Sequence, residues 1–213
     1  MSVKKIVAVM PIKLNNERLQ NKNILPLGGK PLICWQLDLI NQMDSINSKY
    51  VFCSDESIKK YLPNGIQFLK RDALLDANDK NFNDIFSSFI NIVDADIYLY
   101  IHATAPFVTE ETIEDMLNHV ISDNYDSAFC ATKIQDFLWS NNSPLNFNPE
   151  RLPRSQDLDV IWRETSGVYV IKKKMYKKLH RRVGEHPYIK EVCFKESIDI
   201  NNPEDFELAK VFV

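Results

Sequence analysis

The chain has 213 residues, 26 Lys and Arg against 29 Asp and Glu, a formal net charge of −3 and 45% hydrophobic residues. Its basic residues are dispersed among carboxylates, which excludes the concentrated positive face of a nucleic-acid binder, and its length and apolar content suit one domain with a sizeable core. No apolar run approaches the length of a membrane span or signal peptide, so no membrane partner and a cytoplasmic location are the expectations.

A strand is predicted at Ile6–Met10, running into a polar loop, Pro11 to Asn23, before Leu27-Gly28-Gly29-Lys30-Pro31-Leu32 opens a helix that runs from Pro31 to about Gln42. Lys13, Arg18 and Lys22 crowd this loop. A strand that ends in a polar loop and leads to a helix presents backbone N–H groups where open α/β sheets bind ligands, and so many like charges suit a polyanion. A solvated basic loop is the bland alternative.

A strand at Tyr50–Cys53, a short helix after Asp55, a helix over Asn83–Val93, a strand at Ile97–Ile101 and an amphipathic helix at Glu110–Ile121 follow. Then come a strand at Ser127–Ala131, another at Val168–Ile171 and a basic helix at Lys173–His180. This alternation predicts an α/β fold, a Rossmann-like, mostly parallel sheet with flanking helices. Thr109 reads as an N-cap, as does Asn202 ahead of Pro203, Glu204 and Asp205. Residues 137–161 break the rhythm with asparagines and prolines yet carry Phe137, Leu138, Trp139 and Phe147, so a long ordered excursion is expected. Cys34, Cys53, Cys130 and Cys193 lack metal or disulfide spacing and are expected to be buried thiols.

Pro11, Lys13, Leu19 and Lys22-Asn23, followed by Pro26-Leu27-Gly28-Gly29-Lys30-Pro31-Leu32, resemble the signature of the CMP-sialic acid synthetase (acylneuraminate cytidylyltransferase) family, whose relatives activate other acidic sugars with CTP. The resemblance continues through Phe52-Cys53-Ser54-Asp55, Ile101-His102-Ala103-Thr104-Ala105-Pro106-Phe107, Arg154-Ser155-Gln156, Glu164-Thr165-Ser166-Gly167-Val168-Tyr169-Val170 and Ser197-Ile198-Asp199-Ile200-Asn201. Lys13 stands where the family has arginine, which keeps charge but gives up the planar fork. Leu14-Asn15-Asn16 replace its glycines, His102 its glutamine, and Asn201 its second aspartate.

The resemblance implies transfer of CMP from CTP to the anomeric hydroxyl of an acidic sugar, with loss of pyrophosphate, for surface glycans such as capsule or lipopolysaccharide. It implies catalytic roles for Lys22, Lys13 and Asp199, and nucleotide contacts from Lys13, Asn16, Arg18, Lys22, Asn23, Ser54 and Thr104. His102, Arg154, Gln156 and Ser166 become the substrate-binding set. Asp199, read as ending a strand, and Asn201 would hold Mg²⁺ or Mn²⁺, since such ions take hard oxygen donors. The excursion would be an arm of a homodimer. Bland readings stand beside these: Arg154 as a surface ion-pair partner, Ser54-Asp55 as a helix cap, His102 as satisfied by local backbone. Leu14-Asn15-Asn16, His102 and Asn201 together leave open a different acceptor or another nucleotide, and Asn201 leaves open a non-catalytic nucleotide-binding partner.

Overall fold

A computed structural model describes residues 4–213. In chain order the strands are β1 (Ile6–Ile12), β2 (Pro26–Leu27), β3 (Lys30–Pro31), β4 (Ser48–Cys53), β5 (Ile66–Lys70), β6 (Ile97–Ile101), β7 (Ser127–Ile134), β8 (Trp139–Ser140), β9 (Ser143–Pro144), β10 (Ile161–Lys172) and β11 (Pro187–Glu191). The helices are α1 (Leu32–Gln42), α2 (Phe82–Ile90), α3 (Glu110–Ile121), α4 (Lys173–Leu179) and α5 (Pro203–Lys210). Seven strands form one sheet in the order β11-β7-β10-β6-β1-β4-β5. β1 pairs in parallel with β4 and β6, while β10 runs antiparallel to both β6 and β7, so the sheet is mostly parallel.

Both faces of the sheet are covered because the buried strands are apolar on both sides. Along β1, Ala8 and Met10 join Ile33 and Leu37 of α1 and Met116 and Leu117 of α3 in one cluster, and alternate residues Val7 and Val9 join Phe86 and Phe89 of α2 and Tyr176 of α4 in the other. Phe206 and Ala209 of α5 close a third cluster with Leu27, Leu32 and Ile200. The predicted caps form: Thr109 accepts the Thr112 amide, and Asn202 with Asp205 makes a capping box at α5.

Several expectations change. Gly28 and Gly29, with φ of 57° and 85°, form an unanticipated two-residue turn between β2 and β3, while the helix expected from Pro31 to Gln42 forms as α1 with Pro31 at its N-cap. β5 and β11 were not anticipated. Both are edge strands with one partner each and alternating or charged residues, so they lack the continuous apolar run of an interior strand. Asp199 lies in an irregular segment after β11 rather than at a strand's end. Cys53 and Cys130 are buried, Cys34 is half-buried, but Cys193 is exposed. Residues 137–161 carry the β8–β9 hairpin and two 3₁₀ turns, with Phe137, Trp139, Leu145 and Leu152 exposed. No helix among the described residues is long and apolar enough to cross a membrane.

Candidate active site

Where parallel strands β1 and β6 end, the chain leaves the sheet and opens a cavity of about 340 Å³. Pro11 and Ile12 end β1 and Lys13 follows it, His102 to Thr104 leave β6, Ser166 enters from β10, and Asp199 and Asn201 come from the segment before α5. A cleft of about 480 Å³ adjoins it between the Lys13–Asn21 loop and Asp76 to Asn78, which follow β5. Lys13 and Asn16 line both spaces.

The Lys22 side chain is buried in a 3₁₀ turn that Asn21 enters in left-handed backbone (φ 54°). Its Nζ donates to the Ile200 carbonyl at 2.8 Å, leaving two ammonium donors for an anion in the cavity. Burial pushes its pKa below the ordinary lysine value, with Asp199 opposing that shift and Arg18 adding to it. Asn23 holds the loop: its Nδ2 donates to the Lys13 carbonyl at 2.9 Å. Lys13 Nζ donates to Asn78 Oδ1 at 2.9 Å, and Arg18 Nη2 to Asn201 Oδ1 at 2.9 Å. Asn16 Oδ1 is buried without a partner.

Thr104 ties the last segment to β6, its carbonyl accepting the Ile200 amide at 2.8 Å. The His102 amide donates to the Gly167 carbonyl at 3.0 Å, whereas its ring packs against Tyr100 and Tyr169 with centroids 5.2 and 6.3 Å away. Burial pushes the imidazole pKa down to about 4, Asp199 pulling the other way while Arg182 and Lys22 reinforce the shift. The ring is therefore neutral at pH 7, one nitrogen a donor and the other an acceptor. The neighbouring strand β10 thus takes the His102 amide, and the ring is left to the cavity. Ser166 sits in left-handed backbone (φ 59°) where the β7–β10 register shifts between Glu164 and Tyr169, and this irregularity brings it to the cavity.

Not every expected residue meets here. Arg154 forks onto Asp157, Nε and Nη2 donating at 2.7 and 2.9 Å, and is exposed. Gln156 is exposed, its carbonyl accepting from Gln135 Nε2 at 3.0 Å. Neither lines the cavity, because the excursion carries both away from the strand ends. Asp55, not Ser54, caps the following 3₁₀ turn by accepting the Ser57 amide at 2.9 Å. Ser54 bonds Asp76, which also pairs with Arg71, and Arg71 is anchored on the Ile12 carbonyl at 2.9 Å. Arg71 and Asp76 thus fix one wall of the adjoining cleft. Asp76, Asn78 and Arg182 were all missed from sequence. The first two sit in a polar stretch with no period, and Arg182 follows a basic helix where arginines are ordinarily wet.

The donor set fits a hard divalent cation through a single carboxylate. Asp199 Oδ1 is buried without a partner, while Oδ2 accepts from Asn201 Nδ2 at 2.7 Å. Mg²⁺ commonly takes one or two carboxylates and completes its shell with phosphates and water. Asn201 turns its amide nitrogen to Asp199 and its oxygen to Arg18, so as arranged it offers no second oxygen. Asp205 accepts the Asn201 and Asn202 amides at 2.8 and 3.1 Å and acts as a capping acid. Among the described residues no three His, Cys, Asp or Glu side chains gather as a metal cluster.

Comparisons with known proteins agree with this architecture. The chain is 26% identical over 199 residues to N-acylneuraminate cytidylyltransferase A of Danio rerio, covering 89% of this chain and 46% of that protein. It is 24% identical over 227 residues to pseudaminic acid cytidylyltransferase of Campylobacter jejuni subsp. jejuni serotype O:2, covering 97% of this chain and 95% of that protein. The chain spans about half the length of the N-acylneuraminate relatives it matches. The solved structure of CMP:2-keto-3-deoxy-manno-octonic acid synthetase complexed with CTP shares the fold, with TM-score 0.70, 16% identity and 98% of both chains covered. So does 4-diphosphocytidyl-2C-methyl-D-erythritol synthase from Anaerococcus prevotii, with TM-score 0.73, 15% identity and coverage of 99% of this chain and 96% of that one. The sequence model described as Cytidylyltransferase matches residues 7–212, and the chain belongs to that family.

Proposed function

We propose that the chain transfers CMP from CTP to the anomeric hydroxyl of an acidic, sialic-acid-like or other ulosonic sugar. The sugar oxygen bonds to the α-phosphorus, the bond to the bridging oxygen of pyrophosphate breaks, and the hydroxyl proton is lost to solvent. The observation that carries this reading is the convergence of Lys13 and Lys22 with Asp199 on one cavity at the ends of β1 and β6. Both substrates are anionic, so the task is to gather charge and hold it still. Lys22 and Lys13 bind the β- and γ-phosphates, with Arg18 beside them. Asn23 holds the loop in place, and the cleft between Asn16 and Asn78 takes the nucleoside, a wall that Ser54 braces through Asp76. Neutral His102 and Ser166 offer hydrogen bonds to the sugar. Asp199 would hold Mg²⁺ or Mn²⁺, which when bound withdraws charge from the phosphates. Relatives named for neuraminate and pseudaminate support the acidic acceptor. On this reading the enzyme is cytoplasmic and supplies activated sugar for surface glycans.

The test is pyrophosphate release with CTP, Mg²⁺ or Mn²⁺ and a panel of acidic sugars, with ATP, GTP and UTP as controls. Turnover requiring CTP and one acidic sugar supports the reading, and silence across the panel refutes it. With its oxygen on Arg18 and its nitrogen on Asp199, Asn201 offers no second metal oxygen, which favours a second reading, a nucleotide-binding partner without turnover; the departures at Leu14-Asn15-Asn16, His102 and Asn201 favour an enzyme for another acceptor. Under the non-catalytic reading Asn201→Asp creates activity from nothing, whereas an enzyme with another acceptor is already active with that acceptor. We also propose that the exposed Phe137, Trp139, Leu145 and Leu152 form the arm of a homodimer, since so much apolar surface on one excursion suits a partner. A monomer by light scattering at micromolar concentration counts against that arm.

A further inference from the structure

We infer that Arg182 is the residue that reads the acceptor's carboxylate, an assignment that rests on the proposed transfer to an acidic sugar. Arg182 lines the same cavity as His102, Ser166 and Asp199. It belongs to the loop between α4 and β11, so it enters from the β10 side of β6, whereas Lys13 and Lys22 follow β1 on the other side. Two anions must meet in the cavity, and the cations of the β1 loop face the triphosphate. Arg154 lies outside the cavity, paired with Asp157. Arg182 is therefore the cation available for a second anion on the acceptor side.

The guanidinium is held ready for that contact. Its Nη2 lies 2.6 Å from Glu164, and its carbon lies 4.8 Å from the centre of the Tyr169 ring. Tyr169 itself bonds Glu164, so ring, carboxylate and guanidinium form one braced set. Glu164 occupies one edge of a fork with five N–H donors, which leaves donors to grip a planar carboxylate. The loop is braced as well. Asp126 accepts the Glu185 and His186 amides at 2.8 and 3.0 Å, and the Gly184 amide donates to Ser127 Oγ at 2.8 Å. A Cβ at Gly184 would meet the Asp126 carboxylate at 2.0 Å, so this close approach requires glycine. Such bracing is what a residue needs to discriminate rather than merely attract.

The experiment compares wild type, Arg182→Gln and Arg182→Lys with CTP and the acidic sugar that wild type turns over best, and with the carboxamide of that sugar. Arg182→Gln is expected to raise the sugar KM ~10–100-fold while the KM for CTP and its calorimetric affinity stay within ~2-fold, as loss of one charged, forked contact implies. Arg182→Lys falls between, keeping charge without the fork. Wild type prefers the acid over the amide, and Arg182→Gln loses that preference, which a merely structural role would not cause. An unchanged sugar KM, an equal loss toward CTP, or a preserved preference for the acid overturns the assignment while the transfer reading stands. A wild-type protein that turns over no acidic sugar overturns both.

Discussion

His102 makes stability depend on pH in a way that can be isolated by one substitution. Its folded pKa of about 4 lies below the ordinary 6.5, chiefly because burial disfavours the imidazolium. Between those values the unfolded chain binds a proton that the folded chain does not. The stabilising contribution is therefore complete above pH 6.5 and is lost as pH falls toward 4. The full shift sets a ceiling of ~3.4 kcal/mol, and between pH 7 and pH 5 the linkage relation gives a loss of ~1.8 kcal/mol. Water reaching the ring at the cavity wall screens part of this, so ~1–2 kcal/mol is the expected loss. Urea unfolding of wild type and His102→Gln at both pH values measures it, because glutamine keeps hydrogen-bonding capacity but does not titrate. The other histidines, and the carboxylates other than Asp199, whose charge acts on the His102 ring, are common to both proteins and cancel. The stability difference between the two proteins should shift by ~1–2 kcal/mol toward the variant as pH falls. A difference that stays constant from pH 7 to pH 5 would refute the claim that the folded site keeps His102 neutral.

Lys22→Met removes the buried ammonium beside Ile200 and Asp199, and on the proposed reaction kcat/KM for CTP should fall ~10–100-fold, the cost of a charge-assisted contact. Unchanged pyrophosphate release would remove Lys22 from the phosphate site. Gly167→Ala places a Cβ 2.9 Å from that of Ala105 and 3.2 Å from Val108 Cγ2, so overpacking of ~1–3 kcal/mol and a Tm lowered by ~2–10 °C are expected in a thermal melt. An unaltered Tm would mean that β10 and the turn after β6 separate without cost. A thiol reagent should label exposed Cys193 quickly in the native protein. Cys53 and Cys130, buried and with thiol pKa values pushed up by desolvation, the latter to about 12, should react only on unfolding. Rapid native labelling of three or more thiols would contradict the packing of the sheet.

The alternation of apolar runs with amphipathic stretches was sufficient to foretell the α/β order. The interior strands β1, β4 and β6 are read directly because burial on both faces demands continuous apolar sequence. Caps such as Thr109 and Asn202 were legible for a similar reason: they act within a few residues of themselves. The loop from Lys13 to Asn23 and the switch-point residues His102 and Thr104 also lie immediately after strands whose ends can be read locally. Edge strands β5 and β11 escaped because one partner and a half-solvated face impose little pattern. Tertiary structure alone decided which cations share the cavity. Arg154 sits in a motif yet forks onto its neighbour Asp157, while Arg182 sits in no motif and reaches the site because β10 lies beside β6 and the loop after α4 is tied to Asp126. Local sequence determines where a chain turns and which face it buries; which distant side chains then converge depends on strand order and loop anchoring, contacts made across long separations that no short window of sequence contains.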